Sequence, residues 1–430
     1  MKALLIIVFL LLQIISPIVV QYIQLVPHVS ALATEPFVSP PATQYGNGEY
    51  PVGIATYGNN PAGWSGASYT IETTQWLGIV TIDSLSATSN CQNAPNSVSF
   101  QLNVVLNYEY NGNSYALWVQ DVAEFNTQND EVYIGNNIWN ATTPYANITG
   151  VKGNGGIYKA TVNGHIKTYY AYADSASYKT LSLPATIYLL VNVTTNSQGQ
   201  PVIYFWYSYG NSWVNYDVVT VTNVVDATNV YFLVQPGLTS SSGGIYYNAA
   251  LIIGGPYNGA NAQINSGTVY FQLFYWNGHN FQEPLYAYSV GYDTAETVSN
   301  ANTQLYVNSS NGELYAELVT GQTPGLETLW DQNNVVQLTV YSSISNGIVY
   351  LYNYSLIYPQ ATQVAYKVPF IDNQATVTLY PGKYAILVYQ NGQPTAEANI
   401  NGGVGQISTN TTQFSISLNE TQINLNVGES

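Results

Sequence analysis

The sequence predicts an all-β protein, a large antiparallel β-sandwich followed by a small Ig-like β module. Two observations carry that reading. First, β-branched and aromatic runs such as TIYLLVNVTT, PVIYFWYSYG, YDVVTVTNVV and GTVYFQLFYWNG recur with Gly, Asn and Pro punctuating them every ten residues or so, the pattern of many short strands joined by turns. Second, no stretch shows the 3.6-residue apolar period of a long amphipathic helix. One sandwich domain of this kind can exceed about 200 residues.

The best-defined element is Ser97 to Phe125, two strands joined by Asn111-Gly112, a pair that favours a tight hairpin turn. With those two residues as the loop, Tyr110 faces Asn113, Val104 faces Val119 and Asn103 faces Gln120. Phe100, Leu102, Val104 and Leu106 then share a core face with Leu117 and Val119. Gln101, Asn103, Val105 and Asn107 share the other face with Trp118 and Gln120. A slip by one residue would mix the two sets, so the pattern fixes the register. The second face is expected to be open, offering amides beside an aromatic ring. Gln120 is its leading amide, with Asn103 and Trp118 as expected substrate contacts. Asp121 falls on the opposite side, across from Leu102.

At the N-terminus, Met1-Lys2 precedes the apolar run Ala3 to Ile15, and Ala31-Leu32-Ala33 has the small-x-small form of a signal-peptidase site. Residues 1–33 are therefore expected to be a signal peptide, with the mature chain beginning near Thr34 and exported; a retained anchor is the other reading. Residues 34–50 read as a Pro/Gly-rich arm. No later segment is long and apolar enough to span a bilayer as a helix. The chain holds 7 Lys+Arg, all of them Lys, against 23 Asp+Glu, a formal charge of −16 near neutrality. Residues 1–33 contribute Lys2 and His28 but no acid. Well below the carboxylate reference values of about 4 the acids become neutral, and few bases remain to charge the chain. Self-repulsion in acid is thereby kept small, although a sparsely charged surface-layer protein would share this composition. Basic patches that bind nucleic acid are absent. Cys91 is the single cysteine, so no intramolecular disulfide forms.

Several segments resemble motifs of the thermopsin family, secreted acid endopeptidases of thermoacidophilic archaea. They are PVGIATYG (51–58), SFQLNVVL and WVQDV within the hairpin, NAALIIGG within 246–259, and GYDTAE within 288–300. The resemblance assigns 51–305 to the catalytic domain and implies polypeptide substrates, high temperature, low pH and no cofactor. A likeness in strand pattern to glutamic peptidases further implies a concanavalin-like jelly roll, in which a Gln and a Glu on facing strands work together.

An acid endopeptidase needs a group that activates water and a group that stabilises the oxyanion. HExxH is absent, His165 and His279 are far apart in sequence, and no D-[ST]-G pair is present, so neither a zinc site nor a pepsin-type dyad is expected. Carboxylates and amides on strands remain: Gln120, Asp121, Asp293 and Glu296. Asp293 and Glu296 stand three apart, and if they lie close, their like charges raise one pKa. By resemblance the family carries Asp and Glu where this chain has Asn248 and Ala250. Ala250 cannot act as a base. The chemistry therefore falls to Asp121, Asp293 or Glu296, or the chain is a degenerate cell-surface or adhesion protein on the same scaffold.

Alternation is lost across 306–334, which reads as a linker. Strand patterns resume in 335–430, an Ig-sized length read as an accessory module. Sequons at Asn140, Asn147, Asn192, Asn308, Asn353, Asn410 and Asn419 are expected in or beside turns, where N-glycans need them. Association with the cell surface or an S-layer would fit.

Overall fold

The computed structural model describes residues 49–58, 68–235 (144, 163 and 211 aside), 245–307 (279 and 285 aside) and 314–326, and as backbone alone the strands between 328 and 418. Residues 1–33, most of the 34–50 arm, His279, Asn308, Asn410 and Asn419 lie outside the described residues.

The chain is built of strands. It begins with β1 (Val52–Thr56), β2 (Ser68–Thr73), β3 (Gln75–Ser89), β4 (Ser97–Tyr110), β5 (Asn113–Asn126) and β6 (Glu131–Asn140). Next come β7 (Val151–Lys152), β8 (Gly156–Val162), β9 (His165–Thr180), β10 (Ala185–Thr195), β11 (Pro201–Ser208) and β12 (Val214–Val221). Then follow β13 (Thr228–Val234), β14 (Ala249–Gly254), β15 (Asn261–Trp276), β16 (Phe281–Gln282), β17 (Tyr286–Val290), β18 (Thr297–Ser299), β19 (Ala301–Val307) and β20 (Leu314–Thr320).

Two sheets face each other. In the first, one edge of β4 pairs with β14 and β13, and the other with β5; the sheet continues through β6 and β9 to β8, and beyond β14 through β1 to β17. The second runs β19-β20-β15-β3-β10-β11-β12-β7. Within β1–β20 the pairings are antiparallel except the short parallel contact of β18 with β15. The hairpin register is as the sequence dictates, from Tyr110↔Asn113 through Asn103↔Gln120 to Ser97↔Asn126. Asn111 (φ 52°) and Gly112 (φ 73°) both take the left-handed conformation that the tight hairpin turn requires.

The core lies between the sheets. Phe100, Leu102, Val104 and Leu106 from β4 are fully buried with Val80 and Ile82 of β3, Leu189 of β10 and Phe271 of β15. Phe100 contacts Phe125 and Phe271 with centroids 6.3 and 6.1 Å away. Burying each such side chain contributes about 1.5–3 kcal/mol. At Gly78 a Cβ would stand 2.7 Å from Leu251 Cδ1, so the bare position in β3 lets Leu251 of the other sheet seat fully.

The structure differs from the expectations in several places. Within the β-branched stretch YTIETTQWLGIVTI (69–82) the chain breaks at Thr74, β2 joining the first sheet and β3 the second. The 306–334 stretch is not merely a linker, because β20 pairs with β19 and β15 and buries Leu314, Ala316 and Leu318. Beyond 335, further strands extend the first sheet, with Val364–Lys367 pairing with Ser68–Ile71 of β2. Val336–Ser342, Gln374–Leu379 and Gln413–Leu418 form a three-stranded sheet apart; these pairings do not establish the expected Ig-like module. Finally, Asn192 lies inside β10 and accepts from Trp206 Nε1 at 2.8 Å, whereas Asn140 and Asn353 end strands and Asn147 lies in an exposed loop.

Candidate functional site

The hairpin and its neighbours set out a row of residues across one sheet. Ala55 of β1 pairs with Ala250 of β14, Ala250 with Asn103, Asn103 with Gln120, and Gln120 with Asn137 of β6. Paired residues in an antiparallel sheet point to the same face, and adjacent strands lie about 4.8 Å apart. Ala250 and Gln120 therefore flank Asn103 about 10 Å from each other, in one sheet and not across a cleft.

The amides form a closed chain. Gln120 Nε2 donates to Gln101 Oε1 (3.1 Å) and Asn103 Oδ1 (3.0 Å). Asn103 Nδ2 donates to Gln101 Oε1 (3.3 Å), and Gln101 Nε2 to Ser99 Oγ (2.8 Å). Gln101 and Asn103 are each 3% exposed and Gln120 5%, so this face is covered, contrary to the open face expected of it. Trp118, two residues from Gln120, packs with Val105, Ala116 and Ala141. Its Nε1 is buried with no acceptor, and a buried donor left unpaired is costly.

Beside this row, over β14, lies Asp293. The segment holding it crosses the amide face, because a Cβ on Gly291 would stand 3.1 Å from Ile252 Cγ2 and 3.7 Å from Ala250 Cβ. Asp293 Oδ1 accepts from Tyr246 N at 2.9 Å, and the Asn248 side chain also donates to the carboxylate. Asp293 Oδ2 and Asn248 Oδ1 are buried without partners. Burial pushes the Asp293 carboxyl up to about 7, with the Tyr246 and Asn248 donors pulling the other way. Tyr246, whose N–H binds the acid, belongs to a tyrosine cluster: the Tyr57 ring lies 5.8, 5.0 and 5.7 Å from those of Tyr246, Tyr288 and Tyr292, and Tyr57 OH donates to Val290 O at 3.2 Å. Burial, then the Asp293 charge, push Tyr246 up to about 12.

Glu296 does not join it. Its carboxylate takes the Gly259 N–H at 3.0 Å and the Thr294 hydroxyl, tying the 256–259 turn to this segment. The cause of the Asp293 shift is burial, not a second carboxylate. Asp121 is fully buried on the core face, where Tyr216 OH of β12 donates to Oδ1 at 2.7 Å. Alternation puts it there, away from Gln120. One further carboxylate does share the amide face: Glu124, register partner of Ser99, is bound by the Tyr133 hydroxyl and pushed up to about 7 by burial. The sequence marked neither Glu124 nor the tyrosine cluster. The only hint was alternation, which sets Glu124 four residues from Gln120 on one side of β5.

These features define a class first: a two-sheet β protein whose first sheet carries buried amides and, over the neighbouring strand, a half-neutral acid beside a tyrosine cluster. The four segments that meet here, around Tyr57, the hairpin, Asn248–Ala250 and Asp293, fall within a match to the Thermopsin family over residues 36–301. The chain belongs to the thermopsin family. It is 28% identical over 332 residues to Thermopsin of Sulfolobus acidocaldarius, covering 71% of this chain and 91% of that one. Among solved structures, Scytalido-glutamic peptidase with a peptide-based transition-state analogue aligns with TM-score 0.28 and 9% identity, over 63% of this chain and 98% of that chain.

Proposed function

We propose that the protein is a peptidase acting on polypeptides, with Asp293 as its proton-transfer residue. The observation that carries this reading is an acid poised near 7 with an unpartnered buried oxygen, where the four family-like segments converge. Family membership supports the reaction class.

One carboxyl suffices for the proton traffic. The acid form of Asp293 gives its proton to the scissile carbonyl oxygen as water adds to the carbon, and takes a proton from that water, leaving a neutral gem-diol. In the second step it protonates the amide nitrogen as the C–N bond breaks and takes a proton from a diol hydroxyl, releasing acid and amine. Trp118 Nε1 and the second N–H of Asn103 supply donors to the developing oxyanion, with Gln120 holding Asn103 in place. Held up to about 7 by burial, Asp293 keeps its proton in acid, the form that the first step requires. Asp121 and Glu296 hold the frame.

Export and work in acid belong to the same reading. They rest on the 1–33 leader pattern and on the scarcity of bases. Exposed Asn147 is the most accessible sequon of the sandwich for a glycan, and surface or S-layer association would follow from export. Purified protein incubated with casein from strong acid to neutrality tests the reading: release of peptides in acid supports it, and no hydrolysis at any pH sinks it in favour of a non-catalytic surface protein.

A further inference from the structure

Between the sheets lies a second polar cluster, outside the candidate site. Asp121 of β5 and Asn136 of β6 are register partners, so their Cβ atoms lie about 4.5–5.5 Å apart on the core face. Asp121 is 0% exposed and Asn136 3%. From the opposite sheet β12 contributes Tyr216 and Asp217, and β9, next to β6 in the first sheet, adds Tyr170. Tyr216 OH donates to Asp121 Oδ1 at 2.7 Å. Asn136 Nδ2 donates to Asp217 Oδ2 at 2.9 Å, which also receives Tyr170 OH at 2.7 Å. Asp217 Oδ1 takes the N–H groups of Asn154 and Val218, each at 2.9 Å.

Donors thus fill Asp217, while two acceptors beside it go unfilled: Asp121 Oδ2 and Asn136 Oδ1 are both buried without a hydrogen-bond partner. The orientation of Asn136 is fixed, because its nitrogen must face the Asp217 carboxylate. Its oxygen is left to its register neighbour. Two orphan acceptors on paired residues are accounted for by a single proton.

We propose that Asp121 is a neutral carboxylic acid in the folded protein, its Oδ2–H donating to Asn136 Oδ1, and that this proton completes in acid the polar unit through which Tyr216 and Asp217 join the two sheets. Tyr216 bonds the same carboxyl from the second sheet, so the unit spans Asp121, Asn136, Tyr216 and Asp217. The titratable groups around it are Tyr216 and Asp217 of β12, Tyr170, Tyr172 and Asp174 of β9, Tyr207 of β11 and Tyr209 just past it. Lys179 lies over the far Tyr209 ring, 5.3 Å from its centroid. Burial raises the acid well above the ordinary aspartate value, opposed by the Tyr216 hydroxyl and the Leu190 and Val122 N–H groups. A folded-state acid held above its unfolded value stabilises below the unfolded value, and that contribution is lost as pH rises through the folded value. The unit is therefore weakened on the alkaline side.

Asp121→Asn tests this, since its amide occupies the place of the acid and can donate to Asn136 Oδ1 without titrating. Calorimetry above the titration of Asp293 and Glu124, in buffers of differing ionisation enthalpy, counts protons released on unfolding. The expected result is one proton fewer for Asp121→Asn than for wild type, with the fold retained. An unchanged count overturns the proposal and points to an ionised Asp121 with water at the two oxygens. Should the variant fail to fold, the infrared spectrum of the wild type decides. A carboxylic-acid carbonyl band persisting above that titration upholds the proposal, and its absence overturns it.

Discussion

Asn248 gives its side-chain amide to Asp293, and the remaining oxygen of each, Asn248 Oδ1 and Asp293 Oδ2, is buried without a partner. An acid facing an amide in this way can close the pair with its own proton; a carboxylate cannot. Position 248 thus tempers a titration that burial dominates.

Asn248→Asp should accordingly place two carboxyls in one buried site, where like charges oppose double ionisation and push one titration above that of Asp293 alone. The neutral limb of the pH–activity profile is expected to move to higher pH. A limb that stays in place would show that 248 and Asp293 are not coupled.

Ala250→Glu, which restores the residue the family pattern implies, meets a full site. Ala250 is 2% exposed with Gly291 directly over it, so the larger side chain is expected to cost about 1–3 kcal/mol by overpacking alone, and more if its carboxyl finds no donor. Urea melts of variant and wild type measure this; equal stability would mean that the Gly291 segment moves aside easily.

Much of this was legible from residues, and the limits have physical causes. The strict alternation of 97–125 and the Asn-Gly turn fixed which side chains share a face, so Gln101, Asn103 and Gln120 could be grouped and Asp121 set apart. Nothing at Thr74 marks a break, because no Gly or Pro stands there; Thr73 Oγ1, bonded to Trp276 O at 2.6 Å, helps hold the crossing from one sheet to the next. β20 carries Tyr, Glu and Val between its buried residues, a single half-buried strand that resembles a polar connection in sequence. Asp293 and Glu296 stand three apart, yet extended and turning backbone sends their carboxyls to different partners. Their spacing alone holds no such information.

The limits of the sandwich can be tested by truncation. A chain ending at Asn334 keeps β20 and should fold cooperatively, whereas one ending at Asn300 loses Leu314, Ala316 and Leu318 from the core and should not. Far-ultraviolet dichroism and thermal melts of the two distinguish them; a folded shorter chain would make β19 and β20 accessory.

Stability should fall as pH rises. Asp293 and Glu124 are each pushed up to about 7 by burial, above their unfolded values of about 4. Their contribution is complete below the unfolded values and lost as pH climbs through 7. Tm is therefore expected to decline from acid to neutrality, with a shallower decline in Asp293→Asn and in Glu124→Gln. Slopes matching wild type in both variants would contradict these assignments.

The most direct measurement is hydrolysis of an unfolded protein substrate in acid by Asp293→Asn, alongside its melting temperature. Losing a positioned acid–base group costs about 10²–10⁴-fold in rate. The account predicts a loss of that size, with the fold intact and with Glu296→Gln retaining activity wherever it remains folded. Full activity in Asp293→Asn, or loss of activity in folded Glu296→Gln instead, would contradict it.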